Sequence, residues 1–339
     1  MKKNFKTSYF VLFLAFSLKT ASSEDFLSKL NFSFLPYLEC TVEKQTEEVY
    51  TEVDGQNELL SLIEYNKTPS FTTGAKASLE FEGLFLTAGG YYTLPVKSGF
   101  VTDSDWMNIT LTGQEYTNYQ TNYSYHDNYI LSDYCFYAEL GWTFGKKEKV
   151  SIAPFIGADY NYSYYKADDG YYIYGLSIGS TKRGGKPYYA YDDEDSSHIM
   201  SGKFYTLSGV LTLERIRYTT WAGFKYNIRP MHNLTIATSF ALCPYCYVQS
   251  LDSHLQRTPV DYYYDVMSGF LCGVRTNLSA ELLLDKHNSL IFNADLSYIN
   301  VYGLSYGGED TSAVYLLDST SGATFYTLNI QFFYRWRYR

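Results

Sequence analysis

From Tyr134 to Phe144 every second residue is apolar or aromatic: Tyr134, Phe136, Ala138, Leu140, Trp142 and Phe144. Between them stand Asp133, Cys135, Tyr137, Glu139, Gly141 and Thr143. Successive side chains of an extended chain point to opposite faces, so this run predicts a strand with one greasy face and one mostly polar one. It stops at the polar turn Gly145-Lys-Lys-Glu148, and the chain returns with Val150, Ile152, Pro154 and Ile156 on one face. A second such strand sets Ile216, Tyr218, Thr220, Ala222, Phe224, Tyr226 and Ile228 against Arg215, Arg217, Lys225 and Asn227. Charged residues on the second face call for water, which a polar lumen supplies. Near the end Leu328, Ile330, Phe332, Tyr334, Trp336 and Tyr338 alternate with Asn329, Gln331, Phe333, Arg335 and Arg337.

The connections give the strand number. Short turns fall near Glu82-Gly83, at Gly145–Glu148, at Arg229–Asn233 and at Asp285–Asn288. Long polar connections span about 45–70, 98–128, 162–205, 249–264 and 302–322. Nine connections join ten strands, with both ends on the short-turn side. The prediction is an all-β fold, a ten-stranded antiparallel transmembrane β-barrel with long extracellular loops. Short turns would lie on the periplasmic side. The 38 tyrosines and 22 phenylalanines fit the aromatic, outward-facing surface of such a barrel. A secreted β-sandwich is the alternative reading of the strands.

The first 23 residues read as an export signal. Lys2, Lys3 and Lys6 precede the ten-residue apolar core Tyr9–Leu18, and Ala21, Ser22 and Ser23 place cleavage after Ser23. Ten apolar residues are too few for the roughly 20 of a spanning helix. Residues 24–339 then form one domain, in which no repeat or linker marks a second. A net charge of −9 argues against nucleic acid as a partner.

Two short stretches carry candidate chemistry. Thr102-Asp-Ser-Asp-Trp-Met107 places Asp103 and Asp105 two apart, on one side of an extended chain, where a strand leaves the membrane. Ser250-Leu-Asp-Ser-His-Leu-Gln-Arg257 does the same for Asp252 and His254. A carboxylate that holds a histidine in one tautomer makes it a general base near neutral pH. Solvated loop residues are the plain alternative for both pairs.

This order of motifs resembles the omptin family of outer-membrane proteases. "LTAGGYYTLPVKSGFVTDSDWM" is similar to the omptin strand and loop leading to the first aspartate pair. "TNYSYH" at 121–126 is similar to a family Thr-Asp-x-Ser-x-His, with Asn122 in place of the aspartate beside Ser124 and His126. "KQTEEVY" at 44–50 resembles the stretch with a substrate-pocket glutamate, which falls on Glu47. The resemblance spans roughly 40–335 and implies an endopeptidase of the bacterial cell outer membrane, its site facing outside. It implies that Asp252 orients His254, that His254 takes a proton from water, and that Asp103 and Asp105 face the pair across a groove. No acyl-enzyme, cofactor or metal is implied, and the partners are a peptide or protein substrate and outer-membrane lipid around a monomer. The competing class is a non-catalytic barrel, a porin or adhesin on a protease-derived scaffold.

Two departures follow. The family keeps a pocket acid two residues before its Asp-x-His, and Ser250 stands there. Glu47 alone should give a modest preference for basic residues that weakens with salt. The family's lipopolysaccharide-binding Tyr-x-Glu-x-Arg corresponds to Ala158, Tyr160 and Tyr162, so lipopolysaccharide dependence is not expected.

Cys243-Pro-Tyr-Cys246 has redox spacing but follows a strand rather than opening a helix, so Pro244 reads as a bulge. The Asn-x-Ser/Thr sequons at Asn66, Asn108, Asn122 and Asn161 read as chance products of composition. One geometric expectation remains. Leu234, Ile236, Phe240 and Leu242 face lipid, and strict alternation would turn Asp252 and His254 outward too. A site therefore requires a register change between Leu242 and Asp252, near Pro244–Cys246.

Overall fold

The computed structural model describes residues 29–109, 119–145, 149–179, 187–204, 209–257, 259–308 and 315–338. The predicted export signal and Lys146–Glu148 of one predicted turn lie outside the described residues. Twelve strands form one antiparallel sheet: β1 Leu30–Val53, β2 Gln56–Phe81, β3 Leu84–Thr93, β4 Lys97–Asp105, β5 Asn122–Trp142, β6 Val150–Gly175, β7 Ile199–Lys203, β8 Leu211–Met231, β9 Leu234–His254, β10 Asp261–Leu283, β11 Asn288–Gly308 and β12 Tyr315–Tyr338. β1 pairs with β2 on one side and β12 on the other, which closes the sheet into a ring. β3 and β4 are one stave, since both pair with β2 and with β5. Leu94-Pro-Val96 divides them, because Pro95 has no N–H to give the ladder. Among the described residues β7 pairs only with the upper end of β6. Ten staves remain, the number predicted.

Much of what reads as outer loop is itself strand. β1 and β2 continue to a turn at Asp54-Gly55, both with positive φ (50° and 78°), as a tight hairpin turn requires. β9 runs through His254 and β10 resumes at Asp261. Above the lipid both faces of a strand meet polar surroundings, so the hydrophobic alternation that marks a strand fades while the backbone ladder goes on.

Outside, large apolar side chains lie bare on successive staves, among them Leu38, Phe71, Phe136, Ile156, Phe224, Phe240, Leu278 and Phe332. A continuous apolar band of this kind is a lipid-facing surface. Tyrosines rim its upper edge, with Tyr134 stacked on Tyr162 at 5.1 Å and Tyr160 against Tyr218 at 5.1 Å.

Inside, the lower half holds a polar cavity of about 880 Å³ crossed by ion pairs. Lys67 bridges Glu43 and Asp133, Arg275 meets Asp159 at 3.5 Å, and Arg335 meets Glu281 at 2.8 Å. Higher up, packed apolar clusters share the interior with buried polar side chains. Met267, Val248, Val301 and Phe325 form one buried layer, and Tyr65, Val101, Ile130, Tyr165 and Leu213 another.

Several staves change register near the upper lipid edge. One extra residue enters β2 at Thr68-Pro69, β5 at Leu131 and β9 between Leu242 and Cys246, and two enter β10 between Ser268 and Gly273. Bulges re-aim the side chains beyond them. In β9 the inward run is odd below, at Ala241 and Cys243, and even above, at Cys246, Val248, Ser250 and Asp252, with Ser253 also covered near the strand end. This is the register change that the sequence requires. Thr220 on β8 secures it: its hydroxyl donates to the Tyr245 carbonyl (2.9 Å) and accepts from the Tyr245 N–H (3.0 Å).

Candidate active site

The site lies above the lipid band, where inward positions of β1, β4, β5, β8, β9 and β10 converge. Asp252 and His254 sit on β9 beyond its bulge. His254 Nε2 is 2.7 Å from Asp252 Oδ2. With that nitrogen carrying the proton and donating to Asp252, Nδ1 keeps a lone pair. Asp252 is 1% exposed, and the His254 ring meets the Tyr263 ring edge-on at 5.1 Å. Burial disfavours the charged imidazole, but the Asp252 carboxylate outweighs it and holds the His254 pKa above 6.5.

Asp103 and Asp105 end β4, which three staves, β5, β6 and β8, separate from β9 around the ring. Burial, and then the Asp105 charge, push the Asp103 pKa up to about 8. His254 and Asp252 act on the same carboxyl, His254 lowering its pKa and Asp252 raising it, so the two pairs share one electrostatic site. Asp103 Oδ1 and Asp252 Oδ1 are buried without a hydrogen-bond partner among the described residues.

The neighbouring stave brings the three auxiliary residues of the sequence reading to the aspartates. In register, Asp105 faces Asn122, Asp103 faces Ser124 and Val101 faces His126. Asn122 donates its amide to Asp105 Oδ2 at 3.2 Å. His126 Nδ1 lies 2.8 Å from the Asp169 carbonyl, so it donates there, and Nε2 accepts from Ser124 at 2.8 Å. Burial lowers the His126 pKa, which favours the neutral ring that accepts from Ser124.

Glu47 and Ser250 are also beneath the pair, but not as free pocket groups. Glu47 is 3% exposed and bonded to Arg215 Nη2 at 3.4 Å, and Ser250 accepts from Arg215 Nε at 2.8 Å. Where the sequence reading gives Glu47 to a substrate cation, its carboxylate here meets Arg215 of the same chain. Arg215 also departs from its expected solvated place in the lumen, being fully buried. The sequence reading missed this role, and it missed Asp265, opposite Ser250 on β10, and Tyr174, which lies close enough to Asp103 and Asp105 for both to raise its pKa. Arg215 and Asp265 do occupy inward, odd-numbered positions, which is the one signal that could have flagged them.

Cys243 and Cys246 lie buried in β9 rather than at a helix start, and Cys272 Sγ is 3.5 Å from Cys243 Sγ.

No curated protein matches the sequence. Among solved structures, the outer membrane protease OmpT from Escherichia coli superposes with a TM-score of 0.74 at 14% identity, covering 94% of this chain and 99% of that one. At that identity the likeness shows the fold alone. The translocator domain of the autotransporter NalP from Neisseria meningitidis covers 94% of this chain and 92% of its own at 8% identity, but its TM-score of 0.23 carries no argument. The Omptin family model matches residues 35–277, well over half of the sequence. The chain belongs to the omptin family.

Proposed function

We propose that this omptin is an outer-membrane endopeptidase that hydrolyses extracellular polypeptides with a water activated by His254. The observation that carries this reading is the β9 bulge, which turns Asp252 and His254 inward to share a site with Asp103 and Asp105. His254 Nδ1 takes the water proton, and Asp252 stabilises the imidazolium that forms. Asp103 and Asp105 stand two apart on β4, and with Asp103 pushed up to about 8 by burial and then the Asp105 charge, Asp103 holds a proton at neutral pH. That proton is placed for the tetrahedral oxyanion, and the unpartnered Oδ1 atoms of Asp103 and Asp252 are acceptors for water or substrate N–H groups. The water oxygen bonds the carbonyl carbon, and the His254 imidazolium then gives its proton to the departing amine as the C–N bond breaks, so no acyl-enzyme forms. The packed apolar layers inside the barrel speak against the porin alternative, which needs a continuous water path.

The pH dependence tests this division of labour. His254 must be neutral to act and its pKa is raised, so kcat/KM should rise with pH along a limb lying above 6.5. Asp103 keeps its proton up to about 8, so kcat/KM should fall again above that. The expected profile is a narrow bell, measured on a fluorogenic peptide with refolded protein. Asp103→Asn should remove the alkaline limb. A rate that climbs steadily into strong acid would show a carboxylate pair acting without the histidine.

A further inference from the structure

Three carboxylates lie beneath the site: Asp252 and Asp265 both act on Glu47, and Asp265 stands opposite Ser250 in register. A buried acidic chamber beside a peptide-cleaving site attracts a cation. Arg215 is already in it. The side chain enters from β8, between Ser163 on β6 and Ser250 on β9. Its guanidinium donates through Nε to Ser250, through Nη1 to Gln45 Oε1 (3.2 Å) and the Thr46 carbonyl (3.1 Å), and through Nη2 to Glu47. Four of its five N–H groups are thereby used. The ring of Phe325 lies 5.3 Å away, and no part of the side chain reaches solvent.

We propose that Arg215 is a specificity-determining residue: a tethered cation that fills the acidic chamber, so that the enzyme does not select lysine or arginine at the cleavage site. The claim rests on the peptidase reading above and names its substrate class, polypeptides cut beside uncharged residues. A substrate cation approaching Glu47 meets a like charge and an occupied volume. Ser250 belongs to the same arrangement, because its hydroxyl receives the Arg215 Nε that would otherwise be buried without a partner. Removing Arg215 uncovers the acidic chamber and turns it toward cations.

The test is cleavage of matched peptides that differ only by arginine or glutamine on either side of the scissile bond. Wild type should show an arginine-to-glutamine ratio in kcat/KM of about one or less. Arg215→Ala should raise that ratio at least tenfold, and Arg215→Ala/Glu47→Gln should bring it back. A wild-type preference for arginine above tenfold overturns the proposal, as does an unchanged ratio in folded Arg215→Ala. If Arg215→Ala does not fold, the wild-type ratio decides alone. Binding of the same peptides to His254→Ala, with and without Arg215→Ala, separates this claim from the catalytic one. It asks for charge selection without chemistry, and arginine preference in His254→Ala alone counts against Arg215. Equal cleavage by wild type and His254→Ala would instead sink the catalytic reading.

Discussion

Asp252→Asn lowers kcat/KM by about 10²–10⁴-fold, the range for loss of effective general-base catalysis. The geometry gives the reason. Asp252 is almost completely buried, and its Oδ2 holds His254 Nε2 at 2.7 Å. Asparagine keeps the size but can present an N–H₂ to Nε2, which favours the opposite tautomer and takes the lone pair away from the cleft. The charge goes as well, so the His254 pKa falls and the acid limb of the pH profile moves down. Both effects are read in one experiment, kcat/KM against pH on refolded protein. A loss under threefold with an unmoved acid limb would mean that the pair does not act together.

The second large effect concerns stability. Lys67 is 4% exposed and bridges Glu43 and Asp133, which are 5% and 1% exposed. Thr93 adds a hydroxyl to the same Asp133 oxygen at 2.9 Å. Lys67→Met leaves two carboxylates in the barrel interior without their cation. Removing one partner of a buried ion pair costs about 3–5 kcal/mol, because the remaining charge stays desolvated. Urea unfolding of the refolded barrel should show that loss, and Lys67→Met/Glu43→Gln/Asp133→Asn should recover much of it. A change below about 1 kcal/mol in the single variant would show that water reaches these carboxylates freely.

The sequence revealed the barrel because lipid and lumen impose opposite chemistry on alternate residues. β5 below Leu131, β8 and the lower part of β12 carry that alternation, and the turns between staves fix their number. The upward continuation of β1, β2, β9 and β10 was not legible, because neither face meets lipid there and the period-two signal disappears. Both acid pairs were legible from their spacing of two on extended chain. The inward turn of Asp252 and His254 was inferred from a conflict, since Leu242 and His254 are both even-numbered and face opposite ways. Arg215 was misread. Its polar partners Gln45, Thr46 and Glu47 lie 168–170 positions away, and only the closed ring brings β1 opposite β8. Period two says that an arginine points inward; it does not say whether water or a carboxylate meets it.

The central claim is that one constellation, Asp103, Asp105, Asp252 and His254, hydrolyses peptide bonds at the barrel mouth. The most direct measurement is mass-spectrometric cleavage of a peptide library by refolded wild type and by His254→Ala, with both barrels first shown to be folded. The account predicts endoproteolytic products from wild type and a drop of at least 10²-fold in the variant. Equal cleavage by the two proteins, or none by folded wild type, would contradict it.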